Sequence, residues 1–510
     1  MKLNDIDWKN ARILLINISF NIEGIGIRHL SSFIKKYNQN ISLLFLKHSL
    51  ESFSYKHKNA VVDFIDYYKF NIIGLSCMTG DYYECRSLTK LIKSKIKNAI
   101  VIWGGVHPTI APTQCLYDGG ADIVFNASAE PALEKLLTGG SLQETPNIAW
   151  CEGTGEKELF NNYQQVNLIS PDSMPFPDFD FDNHFVIHNG IIVKLTDDLY
   201  RANSLWRGSH YFGITARGCP YHCSYCCNIY RGIFQRKSVD YFIEELKYIQ
   251  RKLPFIKTIS VQDDSLFMHN IKWVNNFAEN YKKYINKPLR AALMPRFATL
   301  DKLHALSHAG LTYIGMGLQG SSRLNKEIYN RNESSASFLA AVDNCKKYGI
   351  VIRADVIIDN PYETHDDLLE IANTLNEIPK PFPIVVYSLT LFPGTKIFEK
   401  ANNDGIADKF AGDPYLPGLS MIRDNKDKFY CTPDYWRLLY NNFLPNLPKR
   451  FCRYLINDIS NGRTQQKIFK YNKLAANIRV LGEKMRQISP RLFDKSMVFI
   501  NKQLHSCGNL

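Results

Sequence analysis

Cys219, Cys223 and Cys226 stand in a C-x-x-x-C-x-x-C run, GCPYHCSYC over 218–226, just past the apolar stretch FGITA. Thiolates are the ligands that iron–sulfur clusters take, and three on one short loop can hold three corners of a cubane. The fourth iron then has no protein ligand and is open to a small molecule. A structural zinc site would need a fourth ligand and favours C-x-x-C spacing on both arms. Cys227 and His222 are close enough in sequence to serve, so counting alone leaves zinc open. The spacing is specific enough to favour the open cluster.

The elements that must position this loop come from an alternating block. FGITA (212–216), KTISVQ (257–262), LRAAL (289–293), YIGMGL (313–318), VIRADVII (351–358) and IVVYSLTL (384–391) read as buried strands. A helix starts near Ser238, with Val239, Phe242, Ile243, Leu246 and Ile249 on one stripe. Six strand–helix repeats predict a partial barrel with its chemistry at the strands' C-terminal ends, where the cysteines follow the first strand. Ahead of it, RILLIN (12–17), ISLLFL (41–46), NIIGLS (71–76), AIVIW (99–103) and ADIVF (121–125) alternate with amphipathic segments. That pattern predicts an α/β fold with a flavodoxin- or Rossmann-like parallel sheet. Residues 141–205, with Pro146, Pro171, Pro175 and Pro177, read as an irregular linker. The expected division is 1–140, linker 141–205, barrel 206–410 and a helical, basic 411–510.

The cysteine loop resembles that of the radical S-adenosylmethionine (radical SAM) enzymes. S-adenosylmethionine needs an iron site for its amine and carboxylate, polar groups for its ribose and an apolar slot for its adenine. Asp263 and Asp264, in VQDDSLF, stand where the wider superfamily meets the methionine amine, a favourable pairing of cation and carboxylate; helix N-capping explains an Asp there equally well. The resemblance implies that Gln319 and Arg331 contact the cosubstrate, Arg331 through its carboxylate. Asp355, mid-strand among apolar residues, would bind the ribose, and Tyr225 and Ile357 would flank the adenine. GLQGSS and DNPYET (359–364) depart from the commoner acidic and glycine-rich forms, whereas Glu363, Thr364 and LFPGTKIF (391–398) match.

WGGVHPTIAP (103–112) follows the fourth strand, GLSCMTG (74–80) the third and NASAEPALEKLL (126–137) the fifth, all on one sheet edge. Paired Gly104 and Gly105 let backbone approach a ligand closely. With IGIRHLSSFIKKY, these segments make 1–410 similar to the cobalamin-binding-domain radical SAM proteins. The resemblance implies that Ser76, Thr79, Gly104, Gly105, Val106 and His107 line a corrinoid pocket. No D-x-H-x-x-G motif is present, so His107 is expected to flank the ring without ligating cobalt. The implied cofactors are a 4Fe–4S cluster, S-adenosylmethionine and cobalamin. The implied chemistry is reductive cleavage to a 5′-deoxyadenosyl radical, and methylation of an unactivated carbon or phosphorus leads. A radical cyclase or rearrangement enzyme, and a non-catalytic corrinoid carrier or sensor, are the alternatives.

Composition fits this frame. Hydrophobic content of 45% and charged content of 22% suit a globular chain of two or three domains. Twelve cysteines are too thin for a disulfide framework, and a charged N-terminus without an apolar leader points to the cytoplasm. No run of about 20 apolar residues suggests a membrane span. The net charge of +13 is concentrated late, from Lys449 through Arg463 to Arg491. An acidic flavodoxin or ferredoxin, or peripheral contact with a membrane surface, would answer to it; no nucleic-acid motif accompanies the charge.

Overall fold

The computed structural model describes residues 3, 6–19, 21–47, 55–152, 158–163, 169–227, 234–263, 266–410, 414–415, 431–462 and 466–488. Asp264 lies outside these residues, as do Arg463 and Arg491.

Apolar runs too short for helices become strands buried on both faces. The first sheet contains β1 (Ile13–Ser19), β2 (Ile41–Lys47), β3 (Ile72–Ser76), β4 (Ile100–Gly104), β5 (Ile123–Phe125), β6 (Ile148–Glu152), β7 (Glu158–Asn161), β8 (His184–His188) and β9 (Ile191–Lys194). Their order is β7-β6-β5-β4-β3-β1-β2-β8-β9. The central pairs are parallel, while β5–β6, β6–β7 and β8–β9 are antiparallel. Helix Ile25–Lys35 packs beside helix Ala129–Leu137, and Tyr37 donates to Glu134 at 2.6 Å.

Segment 141–205, expected to be an irregular linker, instead supplies four strands to this sheet. The prolines are not in those strands: Pro171 opens a 3-10 turn, and Pro175 and Pro177 occupy irregular chain. The strands are short, four or five residues each, and lie at the two ends of the sheet.

The second sheet runs β10 (His210–Gly213), then after the small ladder β11 (Ala216–Arg217) and β12 (Gln235–Arg236) continues with β13 (Thr258–Val261), β14 (Leu289–Leu293), β15 (Leu311–Gln319), β16 (Val351–Ile358) and β17 (Ile384–Ser388). Its six strands are all parallel and in sequence order, the open half-barrel the repeats predict. Ile352, Ala354, Val356 and Ile358 are buried against the helices, which turns Arg353, Asp355 and Ile357 to the opposite, inner face.

Helices Asp434–Leu438, Lys449–Ser460 and Gln466–Ile488 follow, and Trp436, Tyr440, Phe443 and Ile456 join the half-barrel core. They are tied to the sheet at Asp359, whose buried carboxylate pairs with Arg437 at 3.2 Å and accepts from Ser388 at 2.5 Å and from the Thr432 amide at 3.2 Å. Glu363 stands beside this tie, accepting from the Thr432 hydroxyl. Burial pushes its carboxyl up to about 8. The folded state therefore holds this proton more tightly than the unfolded chain. Stability from it is complete below the ordinary carboxyl range and is lost as pH rises toward 8. Glu363→Gln should raise stability at pH 8.5 by about 2 kcal/mol and have little effect at pH 5, as urea unfolding across that range would show.

Candidate functional site

The cluster loop leaves β11 through Gly218, a glycine at φ 89. Its course is fixed by backbone and hydroxyl groups. Ser224 donates from its amide to the Tyr329 carbonyl at 2.9 Å and from its hydroxyl to the Ile328 carbonyl at 2.6 Å; its own carbonyl accepts from the Ile397 amide at 3.0 Å. The Asn330 amide holds the His222 carbonyl at 3.2 Å. Cys223 is buried, and Cys219 and Cys226 are half-buried. Zinc would draw its ligands to one ion at about 2.3 Å, whereas a cubane seats each thiolate on its own iron. Among the described residues no three His, Cys, Asp or Glu side chains converge on one ion position. The donor set, three thiols on a pinned loop, suits a cubane.

Asp263 has a different place from the one expected of it. Its carboxylate accepts from the Thr215 amide at 2.6 Å, the Ala216 amide at 3.1 Å and the Thr215 hydroxyl, with His269 at 3.7 Å. Those bonds occupy the carboxylate and bury it. The following helix, Ile271–Tyr284, is capped by Asn270. Asp263 instead clamps the chain just before the cysteine loop. Hydrogen bonds to a buried charge are worth about 1.5–3 kcal/mol each. Asp263→Ala should lower stability by roughly 3 kcal/mol and speed iron loss to a chelator.

The remaining cosubstrate candidates gather around Gly317. A Cβ there would overlap the Gln319 amide and crowd the Arg331 guanidinium, so the bare backbone makes room for both. Gly317 pairs in register with Asp355 on β16. Arg331 donates to the Gly317 carbonyl at 3.0 Å and to the Tyr225 hydroxyl at 3.3 Å, while its buried Nε has no partner among the described residues. An orphaned guanidinium N–H in a buried site fits an incoming carboxylate. Tyr225 and Ile357 pack in one apolar cluster with Tyr329 and Leu389. Burial raises the Tyr225 phenol and keeps it protonated.

Asp355 is held by a residue that sequence reasoning missed. Arg353, two positions back on the same face of β16, makes a bidentate pair with it at 2.8 and 2.8 Å. Burial raises the Asp355 carboxyl, and the Arg353 partner opposes that shift. The period of two in a strand was the available signal.

On the first sheet, Ser76 and Gly104 pair across β3 and β4 and, with Gly105 and Val106, line a cavity of about 600 Å³. Thr79 is buried at the start of a 3-10 turn and is not part of the lining. His107 also faces elsewhere: its ring packs edge-on against Tyr82 at 5.0 Å and Tyr415 at 5.6 Å. Burial lowers it to about 4, so it is neutral at ordinary pH. It therefore supports the shelf from behind and is not a lining residue.

The cavity continues between the sheet face and helices Ile25–Lys35 and Ala129–Leu137, where Ile13, Leu15, Ile34 and Leu133 make it apolar. This depth was not foreseen; glycine within β3, Gly74, was its one sequence signal. At the opposite end the same cavity reaches Thr215, Arg217, Gly218, Cys226 and Cys227. A bare-backbone shelf above an apolar slot fits a flat macrocycle with an extended tail, and the cysteine loop shares its space.

Comparison with known proteins agrees. Residues 11–137 match the B12 binding domain and residues 214–375 the radical SAM superfamily. An uncharacterized methyltransferase of Pyrococcus horikoshii is 22% identical over 65% of this chain and 69% of its own length. The anaerobic magnesium-protoporphyrin IX monomethyl ester cyclase of Cereibacter sphaeroides is 20% identical over 62% of this chain and 52% of its own. Among solved structures, the cobalamin-dependent S-adenosylmethionine radical enzyme OxsB superposes with a TM-score of 0.64 at 15% identity, covering 98% of this chain and 76% of that one. The radical S-adenosylmethionine methyltransferase TsrM from Kitasatospora setae gives 0.61 at 15%, covering 77% and 75%. At such identities the superpositions speak for the fold. The two matched domains, carried on these two sheets, make the chain a cobalamin-binding radical SAM enzyme, with a 4Fe–4S cluster, S-adenosylmethionine and cobalamin as its cofactors.

Proposed function

We propose that this enzyme is a methyltransferase acting on an unactivated carbon, or phosphorus, of a small molecule. The observation that carries the reading is the single cavity joining the Gly104–Gly105 shelf to the Cys226 loop. Group transfer between two cofactors needs them to face one shared, water-poor space. When bound, the cluster and S-adenosylmethionine supply the radical, and the corrinoid supplies the methyl group.

The chain's own residues bind, orient and exclude water. On this reading Cys219, Cys223 and Cys226 hold three irons. Arg331 and Gln319 orient the methionine moiety at Gly317, Asp355 takes the ribose as Arg353 yields, and Tyr225 and Ile357 hold the adenine. Ser76, Gly104, Gly105 and Val106 carry the corrinoid, while Thr79 and His107 support them from outside the lining. Residues 1–140 with the strands of 141–205 form the corrinoid half and 206–410 the radical half, covered by the helices Asp434–Leu438, Lys449–Ser460 and Gln466–Ile488.

The uncharacterized methyltransferase of Pyrococcus horikoshii supports methyl transfer, and the cyclase of Cereibacter sphaeroides supports cyclisation. Products of S-adenosylmethionine separate them. Reconstituted enzyme turning over its substrate should release 5′-deoxyadenosine together with S-adenosylhomocysteine, identified by mass spectrometry. Deoxyadenosine alone would shift the reading to a cyclase, and neither product, with both cofactors bound, to a carrier or sensor.

The electron should come from an acidic flavodoxin or ferredoxin at the basic helices. Lys449 and Arg453 share Glu377, Lys467 pairs with Asp458, and Arg450, Lys470 and Lys473 are exposed beside them. Reduction by such a protein should slow as salt rises; a rate indifferent to salt would exclude this surface. Among the described residues no helix is long and apolar enough to cross a membrane.

A further inference from the structure

The corrinoid half and the cluster half touch at the cavity wall. Glu130 opens helix Ala129–Leu137 in the acidic-Pro-Ala-Leu segment, and Arg217 is the last residue of β11, directly before Gly218 and Cys219. Their side chains pair at 2.7 Å, and both line the cavity. Glu130 is 4% exposed, and the Ser128 hydroxyl donates to its other oxygen. A carboxylate this deep is costly without its partner, so the two elements must hold together while the pair is intact. Arg217 is fixed in turn by the β11–β12 ladder, in which it pairs with Gln235, and by the Asp263 clamp on the neighbouring Ala216 amide.

We propose that the Glu130–Arg217 pair is a positioning device that couples corrinoid binding to cluster assembly. The inference rests on the functional reading above. The cluster would sit on the loop that Arg217 begins, and the corrinoid against the helix that Glu130 opens, so the pair ties together the walls of both sites. Each cofactor would stabilise one end of the pair against parting of the two halves, so filling one site favours the joined arrangement that the other needs. Linkage is reciprocal, so the corrinoid must favour the cluster by the same factor.

Anaerobic titration with hydroxocobalamin, followed by visible absorbance, tests this with cluster-free and cluster-loaded protein. The wild type should bind about tenfold more tightly once the cluster is present, within the usual range for coupled sites. Glu130→Gln should still bind both cofactors yet bring that ratio close to one. Arg217→Lys, which keeps the cation and loses the fork, should retain part of it. A wild-type ratio of one, or a Glu130→Gln ratio equal to wild type, overturns the proposal and leaves the functional reading standing. Wild-type protein that takes up no corrinoid overturns both.

Discussion

Replacing Cys219, Cys223 and Cys226 together with alanine strips the protein of iron and abolishes 5′-deoxyadenosine formation, while corrinoid still binds. The loop's fold does not depend on the sulfurs: Ser224, Asn330 and the Ile397 amide pin it through backbone and hydroxyl contacts. Loss of the thiols therefore removes the ligands and leaves the scaffold. Iron analysis should fall from about four per chain to background, the count a cubane sets. Circular dichroism should be unchanged. Iron retained at full stoichiometry in the triple variant would mean that other ligands hold it.

The second large effect belongs to Gly105. Its backbone lies at φ 112 and ψ −164, a region essentially restricted to glycine. A Cβ there would stand 2.8 Å from the Cys77 carbonyl oxygen and 3.2 Å from the Cys77 amide nitrogen. Those atoms cannot step aside cheaply, because the Cys77 amide donates to Gly104 at 2.8 Å and its carbonyl accepts from the His107 amide at 3.2 Å. Gly105→Ala should cost about 1–3 kcal/mol in unfolding measurements from backbone strain alone. It should weaken hydroxocobalamin binding by at least about tenfold, since 1.4 kcal/mol suffices for that. Gly104→Ala supplies the contrast. Its Cβ meets nothing closer than Phe125 at 3.8 Å, so stability should hold while the added methyl crowds the cavity and lowers affinity. Equal stability in both variants would contradict the strain argument.

What the chain disclosed in its sequence follows from range. Buried parallel strands advertise themselves as unbroken apolar runs, and β1 to β5 and β13 to β17 lie where those runs are. The cysteine spacing is likewise local, because all three ligands share one loop. β6 to β9 were not legible. β7 has largely exposed side chains, and the apolar run of β9, IIV, is only three residues long. Asp263 misled for a related reason. An Asp at a strand end looks the same whether it faces a ligand or clamps Thr215 and Ala216 from far away in sequence. His107 shares a motif with the shelf glycines, but Tyr82 and Tyr415 decide its direction. The Arg353–Asp355 pair was within reach of strand periodicity, and the Glu130–Arg217 pair was not, since only the fold brings those elements together.

The central claim is that one iron of the cubane is left open for S-adenosylmethionine beside a bound corrinoid. Electron paramagnetic resonance of the reduced, corrinoid-loaded enzyme tests it most directly. The cluster signal should change on adding S-adenosylmethionine, and 5′-deoxyadenosine should appear in the same sample. A fully loaded cluster whose signal ignores the cosubstrate, with no deoxyadenosine released, would contradict the account.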